Sequence, residues 1–145
     1  MWKNKKRLYV FLTVAIIVAS WIVYSINQPP SWRGISENGK WETIFKNEFT
    51  SPKGFWNGTL YWDGEEPITL VRVHLTKNDT TVHEWDGNEV IDKGKPFDYL
   101  TTTEMFDNQE DEYVLRVYWE EKDAKQDNTI VLSPKPRYVV LPNLN

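Results

Sequence analysis

The chain opens with one long apolar run and continues with short runs in which apolar and polar residues alternate. Residues 8–26 form the long run, LYVFLTVAIIVASWIVYSI, which contains no charged residue. A helix of this length, rising about 1.5 Å per residue, spans roughly the 30 Å hydrocarbon core of a bilayer. A core helix in so small a domain would be amphipathic, whereas this run is apolar on all sides. We therefore predict a transmembrane helix over residues 8–26.

The charges that flank this run predict its orientation. Lys3, Lys5, Lys6 and Arg7 precede it, and the next basic residue is Arg33. Basic residues favour the cytoplasmic side of a transmembrane helix. Residues 1–7 are thus predicted to be cytoplasmic, the helix to contact membrane lipid, and the rest of the chain to lie outside the cell.

A cleavable signal peptide is the competing interpretation of the same segment. Residues 8–19 could form its apolar region, with Val18, Ala19 and Ser20 as a small-residue cleavage site. The apolar run continues past that site through Trp21, which favours a retained anchor. Both interpretations export the remaining domain.

Residues 27–31 form the predicted linker, because Pro29 and Pro30 cannot extend a helix. Beyond it, residues 32–145 contain β-branched and aromatic runs separated by Gly, Pro, Asn and Asp, the pattern of strands and turns. The predicted strands are residues 40–47, 55–63, 67–76, 80–85, 96–103, 112–121 and 129–133, with 138–141 as a possible eighth.

Several of these strands alternate with a period of two. Trp41, Thr43 and Phe45 would share one face, while Glu42 and Lys46 share the other. This pattern predicts sheets with one buried and one solvated face. About seven such strands predict an all-β, immunoglobulin-like two-sheet sandwich, with a small barrel as the alternative.

Composition narrows the possible functions. Residues 32–145 hold 13 basic and 21 acidic residues, a formal charge of −8, although the whole chain carries −4. So acidic a domain is a poor partner for nucleic acid phosphates. The chain has no cysteine, which removes disulfides, thiolate nucleophiles and the usual structural zinc sites. A disulfide-free exported domain is typical of a Gram-positive bacterium.

The residues available for catalysis are few, and we predict no catalytic residue, metal site or cofactor. His74 and His83 are the only histidines, and both fall on predicted strands at positions expected to face solvent. The acidic stretches at residues 107–112 and 120–127 lack the glycine of a calcium-binding loop and are interpreted as solvated turns.

Six tryptophans in the exported part are unusual for a domain of this size: Trp32, Trp41, Trp56, Trp62, Trp85 and Trp119. Most are expected in the core, because each indole buries a large apolar area. Exposed tryptophans can stack on sugar rings, and Trp56 and Trp85 are the candidates for glycan binding. Trp62 and Trp85 also begin a repeated W-D-G-x-E-x-I pattern, in which Asp-Gly is interpreted as a hairpin turn.

Three short motifs carry a resemblance to a known group of proteins. Residues 32–41 read WRGISENGKW, residues 58–64 read GTLYWDG, and residues 115–119 read LRVYW. The exported part resembles small membrane-anchored extracytoplasmic proteins of Bacillus and relatives with a W-x-G-x-S-x-x-W opening, from which this chain departs by two extra residues, Gly39 and Lys40, before Trp41. That resemblance implies an immunoglobulin-like sandwich at the cell surface, and it carries over no catalytic or ligand-binding residue.

Taken together, the sequence predicts a single-pass membrane protein whose extracytoplasmic β domain is a non-enzymatic interaction or structural module. Its expected partner is a cell-surface protein or cell-wall glycan. The first alternative is a glycan-binding module that uses Trp56 and Trp85. The second is a small metal-dependent hydrolase built on His74, His83 and neighbouring carboxylates.

Overall fold

The computed structural model describes residues 2–48, 55–104, 106 and 108–137. The one helix found among these residues, α1, is Trp2–Ile26. Within Lys5–Ile26, an 18-residue stretch reaches a mean hydropathy of 2.2 and is almost entirely unburied, and the segment is long and apolar enough to cross a membrane. The predicted helix is confirmed, and it begins six residues early because the polar residues before the apolar run include good helix formers.

Two amide side chains cap the carboxyl end of α1. Asn27 Nδ2 donates to the carbonyl oxygen of Val23 at 2.9 Å, and Gln28 Nε2 donates to that of Tyr24 at 3.2 Å. These bonds satisfy carbonyls that have no partner within the helix. The two prolines that follow prevent its continuation, so the helix ends where the sequence predicted.

Within the described part of the chain, eight strands follow the helix: β1 Ser31–Ile35, β2 Trp41–Glu48, β3 Phe55–Trp62, β4 Ile68–Lys77, β5 Thr80–Ile91, β6 Pro96–Thr102, β7 Tyr113–Glu121 and β8 Ala124–Lys135. All seven strands predicted over residues 40–133 are found, with β5 and β8 longer than expected. The possible strand at 138–141 lies outside the described residues. β1 was missed, because it is short, contains Gly34 and follows directly on the two prolines.

The eight strands form one antiparallel sheet in the order β5-β4-β7-β8-β1-β2-β3-β6. Its end strands approach each other, since Trp85 of β5 and Phe97 of β6 meet edge to face with ring centroids 4.9 Å apart. The sheet is therefore barrel-like. The all-β class with one N-terminal helix is confirmed, but the two-sheet, immunoglobulin-like sandwich was wrong.

Strand β8 explains why the strands form one barrel-like sheet and not the two sheets of a sandwich. Its residues 124–132 pair with β7, and its last three residues, Ser133 to Lys135, pair with β1. One strand thus joins β4, β5 and β7 to β1, β2, β3 and β6. In a sandwich these two groups would face each other as separate sheets.

Aromatic side chains fill the interior. Five of the six tryptophans in the barrel are buried, the sixth being the half-buried Trp85, which confirms the prediction that most belong to the core. Trp41, Trp62 and Trp119 form a cluster with ring centroids 4.8–5.9 Å apart. Toward the helix-proximal end, Trp32 Nε1 donates to the carbonyl oxygen of Phe106 at 2.7 Å. Aromatic area thus supplies the stability that disulfides provide in many small exported domains.

Because Tyr99 is buried, we predict that the barrel loses stability at high pH. Burial raises the pKa of its phenol above the ordinary value, and only the hydrogen bond with Thr43 opposes this shift. In the unfolded chain the phenol ionises near pH 10. The stabilisation from keeping Tyr99 neutral is thus fully present below about pH 10 and is lost as the pH rises further.

The measurement is the urea midpoint of the full chain in neutral detergent between pH 8 and pH 12. We expect the midpoint to fall above about pH 10 and to fall less steeply in Tyr99→Phe. Tyr118→Phe, on the outer face, is the matched control and should keep the steep decline. Equal slopes in all three proteins would contradict the assignment to Tyr99.

Candidate functional site

Trp56, a predicted glycan-binding residue, is buried. Only 2% of it is exposed, and its ring stacks on Phe45 with a centroid distance of 5.5 Å and an interplanar angle of 18°. Phe106 covers it further at 5.7 Å. No face of this indole is open to a sugar ring, because β3 directs position 56 into the barrel.

Trp85, the second predicted glycan-binding residue, is half-buried. It is the register partner of the buried Val73, so its side chain points inward. Phe97 packs edge to face against its ring and closes the space between β5 and β6. Trp85 therefore joins the two ends of the sheet and does not form an exposed platform.

The repeated Trp-Asp-Gly pattern has a packing role that the turn interpretation missed. Gly87 lies within β5, and neither Gly64 nor Gly87 is among the described glycines with positive φ. A Cβ on Gly64 would lie 2.0 Å from the ring of Trp62, and one on Gly87 would lie 2.6 Å from the ring of Trp85. Each tryptophan thus lies over the glycine two positions later, where any larger residue would collide with it.

The two histidines lie on opposite faces of the β4–β5 pair. His83 is the register partner of the buried Leu75 and points inward. His74 pairs with Glu84 and Arg116 on the outer face, and its Nε2 lies 2.8 Å from the hydroxyl of Thr81. In the described part of the chain, no group of three or more His, Asp or Glu side chains is arranged to hold a metal ion.

The acidic stretches make local contacts. Asp111 accepts hydrogen bonds from Lys77 Nζ at 2.8 Å and Asn78 Nδ2 at 2.9 Å, and the bond from Lys77 is the largest cause of its lowered pKa. Glu121 in the other stretch accepts from Lys40 at 3.3 Å. Asp107 lies outside the described residues.

A polar depression lies on the outer face of β1, β2, β3 and β6. We call it the polar groove, and its volume is about 230 Å³. Its lining residues are Arg33, Ile44, Lys46, Glu48, Asn57, Thr59, Tyr61, Pro96 and Asp98. Most carry hydrogen-bonding or charged side chains, unlike the apolar interior directly behind them.

A single row across four strands forms the middle of the polar groove. Arg33, Ile44, Thr59 and Asp98 are successive register partners on β1, β2, β3 and β6. Register partners share a face of the sheet, so these four side chains project to the same side. Thr59 is 9% exposed, and its hydroxyl donates to Asp98 Oδ1 at 2.7 Å, which fixes the carboxylate.

Two flanking rows complete the walls. On one side Tyr61 pairs with Pro96, giving a largely apolar edge. On the other side Lys46 pairs with Asn57, whose Oδ1 accepts from Thr101. Lys46 also contacts Glu48 at 3.2 Å. The groove therefore offers an apolar side, a hydrogen-bonding side and charges of both signs.

The charges of the polar groove are unevenly compensated. Lys46 has Glu48 as its partner, whereas exposed Arg33 forms no salt bridge within the described residues. Nearby Arg137 donates to the carbonyl oxygen of Asn47 at 3.1 Å. Burial lowers the pKa of Arg137, the charge of Glu48 opposes this, and the charge of Arg33 lowers it further. Positive charge is thus concentrated at the β1 end of the groove.

Sequence reasoning missed the polar groove. The available signal was the run of outward polar positions on β2 and β3, such as Lys46, Asn57 and Thr59. Those positions become one surface only when β1 and β6 are known to flank β2 and β3, and β1 itself was not predicted.

Comparisons with known proteins give no assignment: no family model, no curated protein and no solved structure matches the chain. The resemblance to anchored extracytoplasmic proteins of Bacillus and relatives therefore stays a prediction.

Proposed function

We propose that this chain is a single-pass membrane protein that presents its β barrel outside the cell as a non-enzymatic interaction module. The helix contacts membrane lipid, with residues 1–7 in the cytoplasm. The proposal is supported by the length and hydropathy of Lys5–Ile26 and by the basic residues before it. The proposed contact surface is the polar groove, and the presence of this groove on the barrel is the main support for the proposal.

Binding fits this surface better than catalysis does. The groove lies on the outer face of paired strands, so its side chains are held by the sheet but remain open to solvent. A catalytic site needs a nucleophile or a base placed beside a second reactive group. Thr59 donates its hydroxyl proton to the Asp98 carboxylate, but Thr59 is only 9% exposed, so little of it is accessible to a substrate. The two histidines point to opposite faces and give no support to the hydrolase alternative.

The absence of cysteine allows a direct test, because every introduced thiol is unique. Three single variants are expressed in intact cells: Lys46→Cys in the polar groove, Val90→Cys on β5, and Lys5→Cys before the helix. Val90 is the matched control, since it is 66% exposed on β5 and is not among the residues that line the groove. The cells are treated with a membrane-impermeant maleimide or with a maleimide photo-cross-linker.

We expect the impermeant reagent to label Lys46→Cys and Val90→Cys in intact cells and Lys5→Cys only after lysis. We expect a discrete cross-linked product from Lys46→Cys and none from Val90→Cys. Labelling of Lys46→Cys only after lysis would show that the proposed orientation is wrong. Identical products from positions 46 and 90, or none from 46, would show that the groove is not the contact surface.

A further inference from the structure

The lining of the polar groove includes one arginine, Arg33, in a domain that is otherwise rich in carboxylates. Arg33 is exposed and forms no salt bridge within the described residues, although residues 32–145 carry a formal charge of −8. The positive charge of Arg33 acts on Arg137, so a second cation lies near this end of the groove. An anionic group bound at Arg33 would compensate this positive charge.

The opposite end of the groove has different chemistry. Asp98 lies three strand spacings from Arg33, which places their backbones about 14 Å apart. A carboxylate accepts hydrogen bonds from hydroxyl groups. Asn57 lines the same groove and provides an amide, which can both donate and accept. This end therefore suits a neutral ligand part rich in hydroxyl groups.

Apolar atoms lie between and beside the polar ends. Ile44 separates Arg33 from Thr59 in the central row, and Tyr61 pairs with Pro96 along one wall. A pyranose ring presents hydroxyl groups around its edge and C–H groups on its faces. Those C–H groups match Ile44, Tyr61 and Pro96, while the hydroxyl groups match Asn57 and Asp98.

We propose that the polar groove binds a sugar residue that carries a carboxylate, with the carboxylate at Arg33 and the hydroxyl groups at Asn57 and Asp98. This inference rests on the proposed function, because it names the ligand class of the same surface. It moves the glycan-binding role from Trp56 and Trp85 to the outer face of β1, β2, β3 and β6.

The overall acidity of the domain does not prevent this binding. At physiological ionic strength the screening length is about 8 Å, so distant carboxylates contribute little at the groove. Arg33 presents a planar fork of donors that matches a carboxylate in a bidentate contact. The local arginine therefore outweighs the net charge of the domain.

The test uses the full chain in neutral detergent micelles, with chemical-shift changes of ¹⁵N-labelled protein as the measurement. The probes form two matched pairs, and in each pair one sugar carries a carboxylate while the other is neutral. The first pair is N-acetylmuramic acid and N-acetylglucosamine, and the second is galacturonate trimer and its methyl ester. Inorganic phosphate serves as an anion without a sugar.

We expect each acidic probe to bind roughly tenfold more tightly than its neutral partner, as one charge-assisted hydrogen bond predicts. Arg33→Gln should remove this preference and leave the neutral probes unaffected. Arg33→Lys, which keeps the charge but loses the fork, should retain part of it. Arg116→Gln is the matched control: Arg116 is an exposed arginine on the outer face of β7 and should show no effect.

Equal binding of acidic and neutral probes, or no binding of either acidic sugar, would overturn the proposal. Phosphate shifts equal in size and position to those of the acidic sugars would show an anion site without sugar recognition, which also overturns it. A groove that cross-links in cells but binds no acidic sugar leaves the proposed function standing. A groove that binds acidic sugars but gives no cross-linked product in cells would support the sugar-binding inference and count against the proposed function.

Discussion

Trp62→Ala is expected to lower the free energy of unfolding of the barrel by about 3–5 kcal/mol. Trp62 is fully buried and lies in the cluster with Trp41 and Trp119, at 4.8 Å and 5.9 Å between ring centroids. Its removal leaves a cavity lined by two indoles that are fixed in place by the surrounding strands. Small domains are stable by about 5–15 kcal/mol, so this loss is a large share of the total.

Trp62 also differs from its neighbour Trp41 in the hydrogen bonding of its indole N–H. Trp62 Nε1 donates to the carbonyl oxygen of Glu66 at 2.7 Å, and this bond anchors the loop between β3 and β4. Trp41 Nε1 has no hydrogen-bond partner in the described part of the chain. Trp62→Phe should therefore cost about 1 kcal/mol more than Trp41→Phe, because it alone removes a hydrogen bond.

Urea unfolding of the full chain in neutral detergent, followed by near-ultraviolet circular dichroism, measures these differences. Trp21→Ala is the control, because Trp21 is 39% exposed on α1 and outside the barrel. It should leave the transition unchanged. A Trp62→Ala protein within 1 kcal/mol of the parent would show that the three-tryptophan cluster does not hold the barrel together.

Gly58→Ala is expected to destabilise the barrel by about 1–3 kcal/mol, although alanine normally stabilises a strand relative to glycine. The ring of Tyr99 lies over Gly58, and a Cβ there would be 2.5 Å from the nearest ring atom. Tyr99 cannot move aside freely, because it is 3% exposed and its hydroxyl lies 3.2 Å from that of Thr43. The register shift between Gly58 and Thr59 places the ring in this position.

A double-mutant cycle with Tyr99→Ala isolates the collision. In the Tyr99→Ala background the added methyl group meets no ring, so Gly58→Ala should be neutral or slightly stabilising there. The coupling energy from urea unfolding should then approach the full cost measured in the parent. The same cost in both backgrounds would mean that the tyrosine ring is not the obstacle.

Much of the secondary structure could be predicted because its signals are local. The uncharged run at residues 8–26 indicated α1, and the prolines at positions 29 and 30 indicated its end. Period-two alternation predicted β2 and β7 within one residue at each end. β5 was predicted too short because Asp86 and Gly87 were interpreted as a turn. The glycine instead makes room for the ring of Trp85, a side-chain packing effect that the sequence pattern does not reveal.

The sequence by itself determined that one apolar helix precedes an acidic, cysteine-free, all-β domain with tryptophan in its core, because composition and short-range periodicity decide these features. Only the tertiary structure decided that β8 joins β7 to β1, that the ends of the sheet meet at Trp85 and Phe97, and that Arg33, Thr59 and Asp98 lie in one row. The order of strands depends on contacts between residues far apart in the chain. No local pattern records which outward-facing side chains will become neighbours across a sheet.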